Sequence, residues 1–246
     1  MRIAHLSDLH CGRSWMFDES ALTNAIDQIN ETSPDMVVIT GDLTDWGLDL
    51  EYTMAKKFIS RIKKKVLTVP GNHDARYMGY KIFEKTFTKP FGRFGMLEKD
   101  DFLFIGLDTS EPGLDEGHLG REQLAIVEEN VKKGGPIPII MQHHHIIPIP
   151  ETGRERNVLV DAGEVLRVLN HHEIPLILTG HKHVSWVWNL NGTFISNVGT
   201  VSCHRAFQDM GWNIVDIEDG KMDIIKVNSN NGKKSAVLKG GLLRGR

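Results

Sequence analysis

Apolar positions follow two alternating rhythms along the first two-thirds of the chain. Short aliphatic or β-branched runs at residues 2–7, 36–40, 66–69, 102–107, 137–141 and 174–178 predict strands. Between them, Leu22, Ala25, Ile26 and Ile29 recur at i, i+3, i+4 and i+7, the spacing of one helix face. Ala55, Phe58, Ile59 and Ile62 repeat it, and Leu124, Val127 and Val131 mark a third helix. The basic run Arg61, Lys63, Lys64, Lys65 suits the negative end of the second helix dipole. Asp161 is placed to N-cap a helix running to Asn170. Residues 76–98 are aromatic and basic without a clean period and predict a helical excursion over the sheet. Residues 146–160 predict a loop.

The rhythm changes after Gly180. Apolar alternation at residues 184–190 and 193–198 flanks Asn191-Gly192, a strong hairpin signal, and residues 212–217 and 222–227 flank another turn. Strand–helix units followed by meandering strands predict an α/β fold, a four-layer αββα sandwich of two mixed β-sheets flanked by helices. Residues 1–228 would form this one domain, and residues 229–246, rich in Gly and Lys, a loosely packed basic tail.

A chain of 246 residues suffices for one large core. The net charge of −3 gives no general basic surface, so nucleic acid is a possible but not a favoured partner. No apolar run approaches the roughly 20 residues of a membrane helix. Met1 to Leu6 turns polar too soon for a signal peptide, and two cysteines, Cys11 and Cys203, make no disulfide framework. The expected location is the cytoplasm, with no membrane partner.

The informative residues stand at the ends of predicted strands. Asp8-Leu9-His10, Gly41-Asp42, Gly71-Asn72-His73-Asp74, His143-His144-His145 and Gly180-His181-Lys182-His183 each follow one. Ligands of open α/β sheets bind beyond the carboxyl ends of strands. Any single Asp or His there is ordinarily a turn, cap or packing residue. Jointly, Asp-x-His and His-x-His place paired donors on one side of extended segments and point to a metal site.

In this order the motifs resemble the signature of the calcineurin-like metallophosphoesterases, and the resemblance runs from Asp8 to His183 and on through Gly199-Thr200. The forms Asp8-Leu9-His10 and His143-His144 look closest to the class III cyclic-nucleotide phosphodiesterase branch. The resemblance implies that Asp8, His10 and His183 hold one metal, that Asn72, His143 and His181 hold a second, and that Asp42 bridges them. Carboxylate and imidazole donors suit Mn, Fe, Zn or Ni in divalent or trivalent form. The branch usually reads His-His-Pro-Pro, whereas this chain reads His143-His144-His145-Ile146-Ile147-Pro148. The ligand is therefore taken as His143, with His144 the alternative, and His145 faces either substrate or loop.

The expected chemistry is hydrolysis of a small or nucleotide-like phosphodiester by a hydroxide bridging the metals. His73 is the candidate acid for the leaving oxygen and Asp45 its orienting carboxylate, with Asp74 a weaker orienter or a helix cap. Arg13, His144, His145 and His204 are candidate substrate contacts, as is Arg205. Cys11, Cys203, Trp186 and Trp188 are expected to pack. A phosphomonoesterase, a DNA nuclease on the same centre, or a scaffold that has lost catalysis are the alternatives. Asp45-Trp46-Gly47 stands where protein phosphatases of this superfamily carry Asp-Arg-Gly, which weakens the first, and the full ligand complement weakens the last. The resemblance makes a homodimer plausible.

Overall fold

The computed structural model describes residues 1–12, 14–87, 92–205 and 208–243. The chain runs β1 (Arg2–Leu6), α1 (Glu19–Thr32), β2 (Met36–Thr40), α2 (Asp49–Ile59), β3 (Val66–Val69), α3 (Gly79–Thr86), β4 (Gly95–Lys99), β5 (Phe102–Gly106), α4 (Arg121–Asn130), β6 (Ile137–Met141), α5 (Ala162–His171), β7 (Leu176–Thr179), β8 (Trp186–Leu190), β9 (Thr193–Asn197), β10 (Gly211–Glu218), β11 (Lys221–Asn228) and β12 (Lys234–Leu242).

Two six-stranded mixed sheets result, in the orders β12-β11-β10-β1-β2-β3 and β4-β5-β6-β7-β9-β8. β1, β2 and β3 pair in parallel, as do β5, β6, β7 and β9; the remaining strands join antiparallel at the edges.

The period-2 pleat sorts each strand between two cores. Ile3, Met36, Val38, Leu67 and Val69 face Phe104, Ile139, Met141, Leu176, Leu178 and Phe194 of the other sheet. Their neighbours Ala4, Val37 and Ile39 face the opposite way, onto Leu22, Ala25, Ile26 and Ile29 of α1 and Ala55 and Phe58 of α2. Ile105, Ile140 and Ile177 do the same beneath α4 and α5. The layers are thus helix, sheet, sheet, helix. Full burial of each large apolar side chain contributes about 1.5–3 kcal/mol, so the seam between the sheets and the two helix-covered faces all contribute to cohesion.

Three expectations need correction. The excursion at 76–98 is helical only over Gly79–Thr86, and Gly95–Lys99 is an edge strand on β5. The supposed loose tail supplies β12, which pairs antiparallel with β11 from Lys234 to Leu242, while Ser229 is fully buried. Its Gly and Lys residues hide a strand whose exposed positions need no apolar side chain, so periodicity gave no signal. Asp161 does precede α5, but its carboxylate accepts the N–H groups of Leu119 and Gly120 instead of those of its own helix. Among the described residues no helix is long and apolar enough to cross a membrane.

Candidate metal centre

The ends of β1, β2, β3, β6 and β7 converge on one rim, and each delivers its motif there. The backbone must turn sharply to do so. Asp8, Asp42, His10, His181 and His183 all take left-handed φ values, between 48° and 75°. Such a conformation costs of order 1–3 kcal/mol for a residue with a Cβ, and it clusters at functional sites. Three glycines let the tips approach. A Cβ on Gly71 would lie 2.2 Å from Asp42 Oδ1, one on Gly41 would lie 2.7 Å from both Gly71 N and His143 Nδ1, and one on Gly180 would strike Ser7 and Asp8. The Gly in each motif is therefore a spacer between neighbouring tips.

Asp74 ties two of the tips together. It is fully buried and accepts N–H groups from Leu43, Thr44 and Gly71 at 3.0 Å and the Thr44 hydroxyl at 2.8 Å. Burial and the Asp42 charge raise its carboxyl to about 7, and these donors offset only part of that rise. It caps no helix and contacts no catalytic candidate. Asp74→Asn would turn an amide N–H₂ toward these donors. The expected loss is about 2–4 kcal/mol, or roughly 5–10 °C in a thermal melt.

The donor atoms form two groups. In the first, His183 Nε2 lies 3.1 Å from both His10 Nε2 and Asp8 Oδ1, and His10 Nε2 lies 3.8 Å from Asp8 Oδ1. In the second, Asn72 Oδ1 lies 3.1 Å from both His143 Nε2 and His181 Nδ1, which are 3.2 Å apart. Asp42 Oδ2 belongs to both, 3.7 Å from His10 Nε2 and 3.4 Å from His143 Nε2. Donors bound to a common ion at about 2.1 Å stand roughly 3.0–3.4 Å apart.

Their hydrogen-bond logic fits the same chemistry. His143 Nδ1 donates to the Thr40 carbonyl at 2.7 Å, which in the neutral ring leaves Nε2 as a lone pair facing the carbonyl oxygen of Asn72. Two acceptors would then face each other, an arrangement that positive charge relieves, whether a metal ion or a proton on Nε2. Asp8 Oδ2 accepts the His181 main-chain N–H, while buried Asp8 Oδ1 has no hydrogen-bond partner. The centre calls for positive charge. Although burial opposes it, Asp42 pushes the His143 imidazole up to about 9, and burial likewise opposes the His143 and His73 contacts that hold Asp42 well below the usual carboxylate range. These residues fit a pair of ions.

His73 and Asp45 sit beside the first group, in an arrangement that differs from the expected one. His73 Nδ1 donates to the main-chain carbonyl of Asp45 at 2.7 Å, whereas the Asp45 carboxylate is 3.6 Å away. That carboxylate instead faces Arg205 at 3.1 Å and His10 Nδ1 at 3.7 Å. Burial pushes it up, but His10, Arg205 and His73 outweigh this and hold it at about 2. Burial lowers His73 to about 4 against the pull of Asp42. The carbonyl fixes the tautomer, so the neutral ring carries its proton on Nδ1. His73 can give a proton from Nε2 only as the imidazolium.

The cavity over the centre, about 330 Å³, is lined by Asp42, Asn72, His73, His181, His183, Asp115, Thr152, Asn157, Lys182 and Arg205. Three expected substrate contacts do not line it. His144 is fully buried, its Nδ1 2.8 Å from the Thr109 hydroxyl and its Nε2 donating to the Asp115 carbonyl, so it pins residues 109–117. His145 is fully buried, stacked on His181 at 17° and 3.0 Å from Glu155, so it braces a ligand candidate from behind. His204 is exposed and faces Asp18. Arg13 lies outside the described residues. Asp115, which accepts the Asn72 amide N–H at 3.1 Å and turns Asn72 Oδ1 inward, carried no sequence signal because it lies far from every motif. Lys182 could have been found, since it sits inside Gly180-His181-Lys182-His183. Cys203 lies beside His10 and His183, and burial pushes its thiol up to about 11, so it sits there as a neutral packing group.

The chain is 24% identical over 242 residues to a "Probable cyclic nucleotide phosphodiesterase" of Xenorhabdus bovienii, covering 88% of this chain and 95% of that protein. It is 29% identical to a "cAMP/cGMP dual specificity phosphodiesterase" of Mycobacterium tuberculosis, over 82% of this chain and 67% of that one. It is 31% identical to a "Probable glycerophosphodiester phosphodiesterase" of Arcobacter nitrofigilis, over 69% and 65% respectively. The fold is similar to that of a dimetal phosphatase from Danio rerio, with a TM-score of 0.75, 13% identity and coverage of 98% and 99%. The calcineurin-like phosphoesterase model matches residues 1–185, and the chain belongs to that family of metal-dependent phosphoric ester hydrolases.

Proposed function

We propose that this chain hydrolyses a small, nucleotide-like phosphodiester at a two-metal site. The observation that carries this reading is the pair of donor groups sharing Asp42 Oδ2. On it, Asp8, His10 and His183 would hold one ion and Asn72, His143 and His181 the other, with Asp42 available to both. His143, and not His144, is the ligand, because the His144 ring is spent on Thr109 and Asp115. The donor chemistry suits Mn, Fe, Zn or Ni. When bound, the ions supply Lewis acidity and a water acidified toward neutral pH.

The protein's own groups do the rest. Arg205, held against Asp45 at the cavity wall, grips a non-bridging phosphoryl oxygen. Asp45 also steadies His10 through its Nδ1 side. His73 delivers a proton from Nε2 to the departing alkoxide while Nδ1–H stays on the Asp45 carbonyl. The nearby Asp42 charge and an incoming anionic substrate favour the imidazolium that this transfer requires. The leaving group of an alkyl phosphodiester is an alkoxide, which needs such a donor. All three relatives described above carry names of cyclic-nucleotide or glycerophosphodiester phosphodiesterases, which supports the same class.

The test is a panel of cyclic nucleotides, linear dinucleotides, glycerophosphodiesters and monoesters, run on chelator-stripped protein reloaded with each metal. Diesters should turn over only after reloading, and faster than monoesters. Monoester preference at every metal overturns the diester reading, and turnover by stripped protein overturns the metal assignment. Arg205→Met should lower kcat/KM roughly 10- to 100-fold without loss of bound metal, the cost of one charged hydrogen bond.

A further inference from the structure

The inter-sheet face of β11 breaks its own pattern. Met222 and Ile224 point into the layer between the sheets and are fully buried. Two residues on, at the rim end of the same face, stands Lys226. Its partner across β10 is Asn213, where the preceding pairs are Val215 with Ile224 and Ile217 with Met222. A charged residue where the alternation calls for an apolar one marks a functional position more often than a packing one.

The surroundings give Lys226 space and, among the described residues, no ion-pair partner. A cavity of about 520 Å³ opens where the edge strands β8 and β12 part, larger than the one over the metal centre. It is lined by Lys226, Lys233, Gln208, Trp186, Ser185 and Ser235, among others. A Cβ on Gly211 would press on Lys226 Cε at 3.1 Å, so the glycine leaves room for the lysine stem. Lys226 Nζ donates only to Gln208 Oε1, at 3.2 Å, and among the described residues no carboxylate pairs with it. Burial pushes the Lys226 ammonium down, and Asp209 in the wall offsets part of this without an ion pair. Lys233 is exposed and also lacks an ion pair among the described residues.

Donors dominate the rest of the wall. Gln208 Oε1 already accepts the Ser185 main-chain N–H and Lys226, so its amide N–H groups remain available. Trp186, which lines the cavity, has its indole Nε1 buried without an acceptor among the described residues. A half-buried ammonium, spare N–H groups and an indole wall match an anion of modest size, and the volume is that of a small-molecule site.

We propose that the cleft between β8 and the β11–β12 hairpin binds a small phosphate-bearing molecule through Lys226, at a site separate from the metal centre. Gln208 fastens Lys226 and the Ser185 main chain together, and Ser185 is two residues beyond His183. Occupancy therefore reaches the segment that carries a metal-ligand candidate. The proposal does not depend on which ester the enzyme cleaves.

The experiment titrates metal-loaded protein with inorganic phosphate and, separately, with AMP, read by tryptophan emission and by calorimetry. Wild type should show a saturable emission change that Trp186→Phe removes, and one more binding event per chain than Lys226→Met. Lys226→Met should weaken that event roughly tenfold or more, the loss expected for a charge-assisted hydrogen bond, while Lys226→Arg retains it. Binding of both probes assigns the site to the phosphate group, and binding of AMP alone assigns it to a nucleotide. Equal titrations of wild type and Lys226→Met would put the anion at the metal centre and overturn the proposal. Absence of saturable binding by either probe would do the same.

Discussion

Asp42→Ala should yield a folded protein that retains less than its full complement of metal and has lost well over 10³-fold in turnover. The size follows from removing several kcal/mol of charge stabilisation together with the shared donor. Asp42 Oδ2 is the atom common to both donor groups. Its loss also leaves His143 without the charge that pushes its imidazole up. The check is metal content by mass spectrometry beside a circular-dichroism spectrum. Two ions per chain with a native spectrum would refute the bridging assignment. The second oxygen of Asp42 accepts the His73 main-chain N–H at 2.9 Å, so the variant also loosens the β3 tip. Asp42→Asn separates the two effects, since its carbonyl oxygen can keep the His73 N–H while an amide N–H₂ replaces the oxygen shared by the two donor groups.

His73→Gln should keep both metals and lose about 10²–10⁴ in kcat on esters with poor leaving groups, the usual contribution of a positioned acid. On activated aryl diesters, whose leaving group needs no proton, the loss should be much smaller. The pH profile discriminates further. With its Nδ1 proton committed to the Asp45 carbonyl, His73 is competent only when doubly protonated. The alkaline limb of kcat on poor leaving groups should therefore belong to His73 and flatten in the variant. Equal losses on both substrate classes, with an unchanged limb, would remove His73 from the acid role and leave it as a positioning residue.

Much of this architecture was legible in the sequence. The alternation of Val37 and Ile39 with Met36 and Val38 predicts strands buried on both faces, and the motifs after them predict a rim. What sequence could not supply was direction. Asp45 lies three residues after Asp42, as expected of an orienting carboxylate, yet its main-chain carbonyl holds His73 and its carboxylate turns to Arg205 and His10. His143, His144 and His145 are adjacent and chemically alike. Only the packing shows that the first faces Asn72, the second is pinned by Thr109 and the third stacks on His181. A strand such as β12, interrupted by Lys239, Gly240 and Gly241 and paired along one side only, carries no periodic signature at all.

The seven donor residues do not come from one half of the molecule. Asp8, His10, Asp42 and Asn72 follow strands of one sheet, while His143, His181 and His183 follow strands of the other. On the ligand assignment proposed above, each ion is then a rivet through both halves of the sandwich. Mass action makes such a rivet part of the folding free energy, because the unfolded chain does not hold the same donors together. The protein would thus report its own loading through its melting temperature, and metal starvation would pry it open along the seam between the sheets, beginning at the rim where substrate enters.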